Sequence, residues 1–276
     1  VGYAPTFETI TRFPGRTKVA AHWSDFTGIE RDEKPWLNGL PRLIFVSDMG
    51  DAFSSKQDFE FLRSEMAAFQ TPEGQRHLWL WLTKRPDVMR QFVDSIGDFP
   101  ANVCAMTTVT SAKTLSRVDA LREVNAAVRG LSLEPLWEPL ADKIDLTGID
   151  WVIVGGESGP GARPCDVGWI RDIVGQCRAA EVPVFVKQMG ALRRMGEFSS
   201  FEEWVNKAQS WIGGTGAQCF DGKMRRCLIG ADMQRARDEG AFPVSYWLPK
   251  WQDRAGADPA EWPEDLRVQQ FPEARP

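Results

Sequence analysis

Residues 150–164 read DWVIVGGESGPGARP, an unbroken apolar run that stops in a glycine-rich turn carrying an acid. Trp151, Val152, Ile153 and Val154 have the pattern of a parallel strand covered on both faces, not that of an alternating, half-wet one. Gly155 and Gly156 remove side chains where the strand stops, so the backbone can bend sharply or lie against a ligand. Glu157 and Ser158 follow directly. Polar turn residues alone are equally explained as a capped connection; their place after a buried strand points to chemistry.

The same unit recurs on both sides of this stretch. Leu43-Ile44-Phe45-Val46 is an apolar run ending in Asp48-Met49-Gly50-Asp51, followed by helical spacing at Phe59, Leu62, Met66 and Phe69 with Ser54 or Ser55 as cap. Residues 77–83 (HLWLWLT) end in Lys84-Arg85, and Pro86 opens a helix to about Ser95. Trp79 and Trp81 alternate with leucine, which places both on one core-facing side. Strands follow at 102–108, with Leu115, Val118, Leu121 and Val124 on the next helix, and at 129–134, ending in Glu134. Asp166 caps a helix with Ile170, Ile173, Val174 and Cys177 on one face, and 182–187 (VPVFVK) is the last strand.

Strands alternating with helices imply right-handed crossovers and a parallel sheet. Polar groups end every strand, whereas an open doubly wound sheet concentrates them at one switch point, so the expected fold is a partial (β/α) barrel of about six parallel strands. The expected organisation is an irregular arm over 1–41 with one short helix, the barrel core over 42–190, and an irregular extension over 191–276 packed on the barrel. Within that extension, 198–212 and 232–240 suggest helices, and the proline- and tryptophan-bearing tail from Pro249 suits wrapping over a surface.

A net charge of −5 with 43% hydrophobic residues describes an ordinary globular chain and offers no general attraction for polyanions, although a local basic face remains compatible with it. Five scattered cysteines without a Cys-x-x-Cys pair indicate neither a disulfide framework nor a zinc ribbon, which fits a reducing cytoplasm. His22 and His77 are far apart, and His77 opens a strand, where a structural role is expected. No apolar run reaches the roughly 20 residues of a membrane span. The chain opens at Val1 without methionine, so native residues are expected upstream.

Parallel strands end on one side, which brings together Asp48, Asp51, Lys84, Arg85, Thr107, Thr108, Glu134, Glu157, Ser158, Lys187 and Gln188 in a mouth of mixed charge. Such groups must pair with one another, with water or with a ligand, so a ligand site is expected there. The 155–159 turn is not a dinucleotide fingerprint or a P-loop. Nor is it a Gly-x-Ser-x-Gly elbow, because Gly159 follows Ser158 directly.

Taken in order, residues 45–51 (FVSDMGD), 82–86 (LTKRP), 133–136 (LEPL), 154–159 (VGGESG), 186–188 (VKQ) and 258–268 (DPAEWPEDLRV) resemble the phage-associated family named after gene products thirty-seven and sixty-eight. That resemblance implies a barrel similar to radical S-adenosylmethionine enzymes, in a bacterial or phage-infected cell. It also implies a three-cysteine motif near the N-terminus for a four-iron four-sulfur cluster, and here the chain departs, since no cysteine precedes Arg42. The implied reading is the body of a radical S-adenosylmethionine-type enzyme acting on a nucleotide or nucleic-acid base. Asp48, Glu134, Gly155, Gly156, Glu157 and Ser158 would hold the cofactor, and Asp51, Lys84, Arg85, Thr108, Lys187 and Gln188 the substrate. The alternative is a clusterless barrel that binds a nucleotide or a partner protein. A third, hydrolysis by two carboxylates such as Asp48 and Glu157, depends on their separation.

Overall fold

The computed structural model describes residues 11–46, 50–54, 59–163, 165–191, 253 and 255–272, together with the backbone of 193–197, 218–220, 226–227 and 245–247. A short helix, α1 (Arg16–Ala21), and a single 3-10 turn at Pro35–Leu37 lie in the described part of the N-terminal arm. The helix is tied down by Glu65, whose carboxylate accepts from the Gly15 amide at 2.6 Å and the Thr17 hydroxyl at 2.7 Å.

The barrel elements then alternate. They are β1 (Arg42–Phe45), α2 (Phe59–Met66), β2 (His77–Thr83), α3 (Pro86–Asp94), β3 (Val103–Thr108), α4 (Ser116–Arg122), β4 (Val128–Leu133) and β5 (Trp151–Gly155). A two-residue strand, β6 (Cys165–Asp166), leads into α5 (Val167–Ala179), and β7 (Val184–Gln188) completes the sheet. The main sheet has the order β1-β2-β3-β4-β5-β7, with every neighbouring pair parallel. It curls into a half-barrel with the helices outside, as expected from the strand ends.

Side-chain alternation sorts the core into two layers. Trp79, Trp81, Val103, Ala105, Leu131, Leu133, Val152, Val154, Val184 and Val186 face outward and join Leu62, Met89, Phe92, Leu121, Ile170 and Val174 from the helices. Trp79 and Trp81 are fully buried, and Trp81 stacks on Phe99 with ring centroids 5.4 Å apart. His77 is buried, with Nε2 3.0 Å from the Ala21 carbonyl oxygen, the structural role expected of it. The inner, concave face is built from Leu80, Cys104, Met106, Trp151 and Ile153, and Phe271 packs there against Trp151 and Phe185.

Phe271 arrives there because the tail runs along the last strand. The Val186 amide donates to Val268 O at 2.8 Å, and the Gln270 amide donates to Val184 O at 2.9 Å, which covers the otherwise open edge of β7. Helix starts follow local chemistry: Pro86 opens α3, and the Asp166 carboxylate accepts from the Gly168 amide at 2.8 Å.

Among the described residues, the extension read as irregular carries four strands: β8 (Arg193–Glu197), β9 (Gln218–Phe220), β10 (Arg226–Cys227) and β11 (Ser245–Trp247). With β6 they form a second sheet in the order β10-β9-β11-β8-β6. Segments of two to five residues offer too little alternation to register as strands in sequence. The helices expected over 198–212 and 232–240 lie outside the described residues. No helix among the described residues is long and apolar enough to cross a membrane.

Candidate functional site at the strand C-termini

Because all six strands point the same way, the residues after them share one end of the half-barrel. Glu134 and Lys187 meet there: Lys187 Nζ lies 3.0 and 2.9 Å from the two Glu134 carboxylate oxygens. The Lys187 side chain is about half exposed (48%) and the Glu134 side chain much less so (18%), so the pair borders solvent without being lost in it. Gln188 Nε2 donates to Glu134 Oε1 at 3.1 Å and to Gly156 O at 2.8 Å, which fixes the carboxylate from β7 and the following turn from within.

Two hydroxyl residues lie on the same concave face. Thr108 and Ser132 are register partners on β3 and β4, both buried, and share the alternation of Met106 and Gly130. The Gly130 α-carbon faces Met106, whose terminal methyl would stand 3.0 Å from any added Cβ. Arg117, from α4, donates through one guanidinium nitrogen to Thr108 O at 2.8 Å. Burial lowers the pKa of Arg117, the nearby Asp51 charge opposes that shift, and the like charge of Arg85 adds to it.

Asp51 does not face an open mouth. Its carboxylate accepts from Thr83 Oγ1 at 2.7 Å, the Lys84 amide at 2.9 Å, the Phe53 amide at 3.0 Å and Arg85 at 3.3 Å. Those bonds clamp the β2–α3 turn to the chain after β1, so Asp51 and Arg85 are tied to each other and to structure, not presented to a substrate. The Lys84 side chain is exposed.

Gly155 and Gly156 have a different use from the one read from the sequence. A Cβ on Gly156 would lie 2.4 Å from Met189 O and 2.8 Å from the Gly190 α-carbon, and one on Gly155 3.0 Å from Gln188 O. Close backbone approach is required there, but the approaching group is the chain after β7. Glu157 turns to Arg163, accepting from its backbone amide at 2.9 Å, Nε at 2.6 Å and a terminal nitrogen at 2.8 Å. The hydrogen bonds from the Arg163 side chain, more than any other influence, hold the Glu157 pKa below its ordinary value. Ser158 is exposed at the tip of this loop. Asp48 lies outside the described residues.

Ser132, Arg117, Arg163 and Trp137 were not singled out in the sequence. Arg163 lies with its guanidinium carbon 3.7 Å from the Trp137 ring centroid, and Trp137 itself is 38% exposed. A tryptophan in the polar loop after a strand end was the available signal. A cleft of about 760 Å³ lies at the opposite end of the sheet, bordered by Val128, Asp150, Gln176 and Pro183. None of the expected site residues lines it, and the convergent polar groups mark the mouth instead.

Cys104, Cys165 and Cys177 are buried free thiols on separate elements. Burial, the largest cause in each case, raises all three pKa values, Cys165 and Cys177 to about 12. Among the described residues no three His, Cys, Asp or Glu side chains gather as a metal site. These residues do not fit an iron–sulfur cluster, which needs accessible thiolates close together.

The fold and the mouth define a half-barrel protein with a cluster of polar and charged groups at the carboxyl ends of its strands. Residues 7–240 match the family described as protein of unknown function (DUF5131), and the chain belongs to that family. No curated protein and no solved structure matches it.

Proposed function

We propose that the chain is the body of a radical S-adenosylmethionine-type enzyme that acts on a nucleotide or nucleic-acid base, with both ligands held at the mouth. The Glu134–Lys187 pair carries this reading. A fixed carboxylate beside a fixed ammonium complements a zwitterionic amino-acid end, whose ammonium would face Glu134 and whose carboxylate would face Lys187. The hydroxyl-bearing Thr108 and Ser132 suit ribose, and Lys84 suits an anionic substituent. When bound, the sulfonium cofactor supplies a carbon–sulfur bond for reductive cleavage, and the groups named here bind and orient it.

The described cysteines, buried on separate elements, do not supply the thiolates of a cluster. That burial also favours the second reading, a clusterless barrel that binds a nucleotide without redox chemistry. Isothermal titration with S-adenosylmethionine and nucleoside monophosphates separates the two. S-Adenosylmethionine binding that weakens about tenfold or more in Glu134→Gln and Lys187→Met supports the first. Nucleotide binding without S-adenosylmethionine binding selects the second, and binding of neither overturns both. Anaerobic reconstitution of a chain extended upstream, with an iron and sulfide count, tests the cluster.

A further inference from the structure

The loop after β4 is held more firmly than a surface connection requires. The Leu136 amide donates to Gly155 O at 2.9 Å and the Trp137 amide to Thr110 O at 3.2 Å, while the Glu138 carboxylate accepts from the Ala112 amide. Trp137 is therefore pinned between the loops that follow β3 and β5, at the mouth. Trp79, Trp81, Trp151 and Trp262 are buried, but Trp137 is 38% exposed.

One ring face is already occupied. Arg163 stacks on it at 3.7 Å, and the two hydrogen bonds from its Nε and a terminal nitrogen to Glu157 hold its guanidinium there, while its backbone amide donates to the same carboxylate. An aromatic ring fixed in position, backed by an immobilised planar cation and still open to solvent, can accept one planar partner with little loss of side-chain freedom. Lys84, which follows β2 at the same end of the half-barrel and is exposed, would receive the anionic end of that partner.

We infer that Trp137, backed by Arg163, is the stacking shelf for the base of a nucleotide bound at the mouth; this rests on the nucleotide reading above. Glu157 acts here as a positioning residue that works through Arg163. The shelf assigns base-dependent affinity to Trp137 and phosphate-dependent affinity to Lys84.

The test compares AMP, GMP, CMP and UMP with ribose 5-phosphate, which has no base, by titration calorimetry on the 276-residue chain and its variants. The wild type should bind the nucleotides more tightly than ribose 5-phosphate. Trp137→Ala should weaken nucleotide binding by about 5- to 150-fold, the range expected for one base–aromatic stack, and leave ribose 5-phosphate unchanged. Trp137→Phe should keep most of the base-dependent affinity. Should Trp137→Ala fail to fold, Trp137→Leu fills the space without a ring and should show the same selective loss. Nucleotide binding unaffected by removal of the ring overturns the shelf but leaves the nucleotide site. Equal losses for both ligand types mean a structural role only. A wild type that binds none of the ligands overturns the nucleotide reading, and the shelf with it.

Discussion

Lys187 Nζ and the Glu134 carboxylate are in contact across a strand that separates them, since β5 runs between the ends of β4 and β7. An ion pair spanning three strands on the concave side resists burial by the sheet and stays at the solvent border. Its contribution to stability is small: exposed pairs are worth about 0–1 kcal/mol. Lys187→Met should therefore lower the melting temperature by no more than about 2–4 °C, while weakening the ligand that uses the pair by about tenfold or more. Thermal melts and titrations on one preparation check this; a large thermal loss with unchanged binding would make the pair a structural tie.

Asp51 should behave in the opposite way. Its carboxylate joins Thr83, the Lys84 amide, the Phe53 amide and Arg85. Asp51→Ala leaves those donors unmatched and should cost about 1–3 kcal/mol, read by urea denaturation. Ligand affinity should change less than in Lys187→Met.

Two glycines make a matched pair. Gly156→Ala would drive a methyl to 2.4 Å from Met189 O and should destabilise by about 1–3 kcal/mol. Gly175 lies within α5 with nothing within 4 Å of an added Cβ, so Gly175→Ala should stabilise by about 0.5–1 kcal/mol. Equilibrium unfolding of both variants checks the opposite signs, and an unchanged or raised stability in Gly156→Ala would contradict the close approach of the Met189 backbone.

The Glu157–Arg163 latch has a defined pH dependence. The Glu157 pKa in the fold lies below the ordinary 4.5, so near that pH the unfolded chain binds more protons than the folded one. The stabilisation is fully present above 4.5 and is lost as pH falls through the lowered value. Amide exchange at Arg163, whose N–H is bound to the Glu157 carboxylate, should keep constant protection down to about that pH and lose it below. Loss beginning at distinctly higher pH would contradict the latch.

The thiols give a chemical test of the core. Cys104, Cys165 and Cys177 are buried with raised pKa values, so iodoacetamide at neutral pH should spare all three in the native protein and modify them in denaturant. Peptide mass mapping reads the result, and rapid native labelling of Cys177 would show that the buried face of α5 does not pack into the core as described.

What the amino-acid order determined by itself was local. Apolar runs at 43–46, 77–83, 102–108, 129–134, 151–154 and 182–187 became the six parallel strands within one or two residues, because burial on both faces writes itself into consecutive side chains. Pro86 and Asp166 marked helix starts for equally local reasons, and the alternation around Trp79 and Trp81 told which side met the helices. The common location of Lys84, Glu134, Glu157 and Lys187 followed from parallel topology alone. Partner choice did not. Whether Glu134 pairs with Lys187 or Glu157 with Arg163, and whether Gly156 admits a ligand or the Met189 backbone, depends on curvature and on atoms brought together from 53, 6 and 33 positions away. Only the tertiary structure decides that, because hydrogen bonding and steric contact act through space at a few ångströms, a distance that order along the chain does not specify.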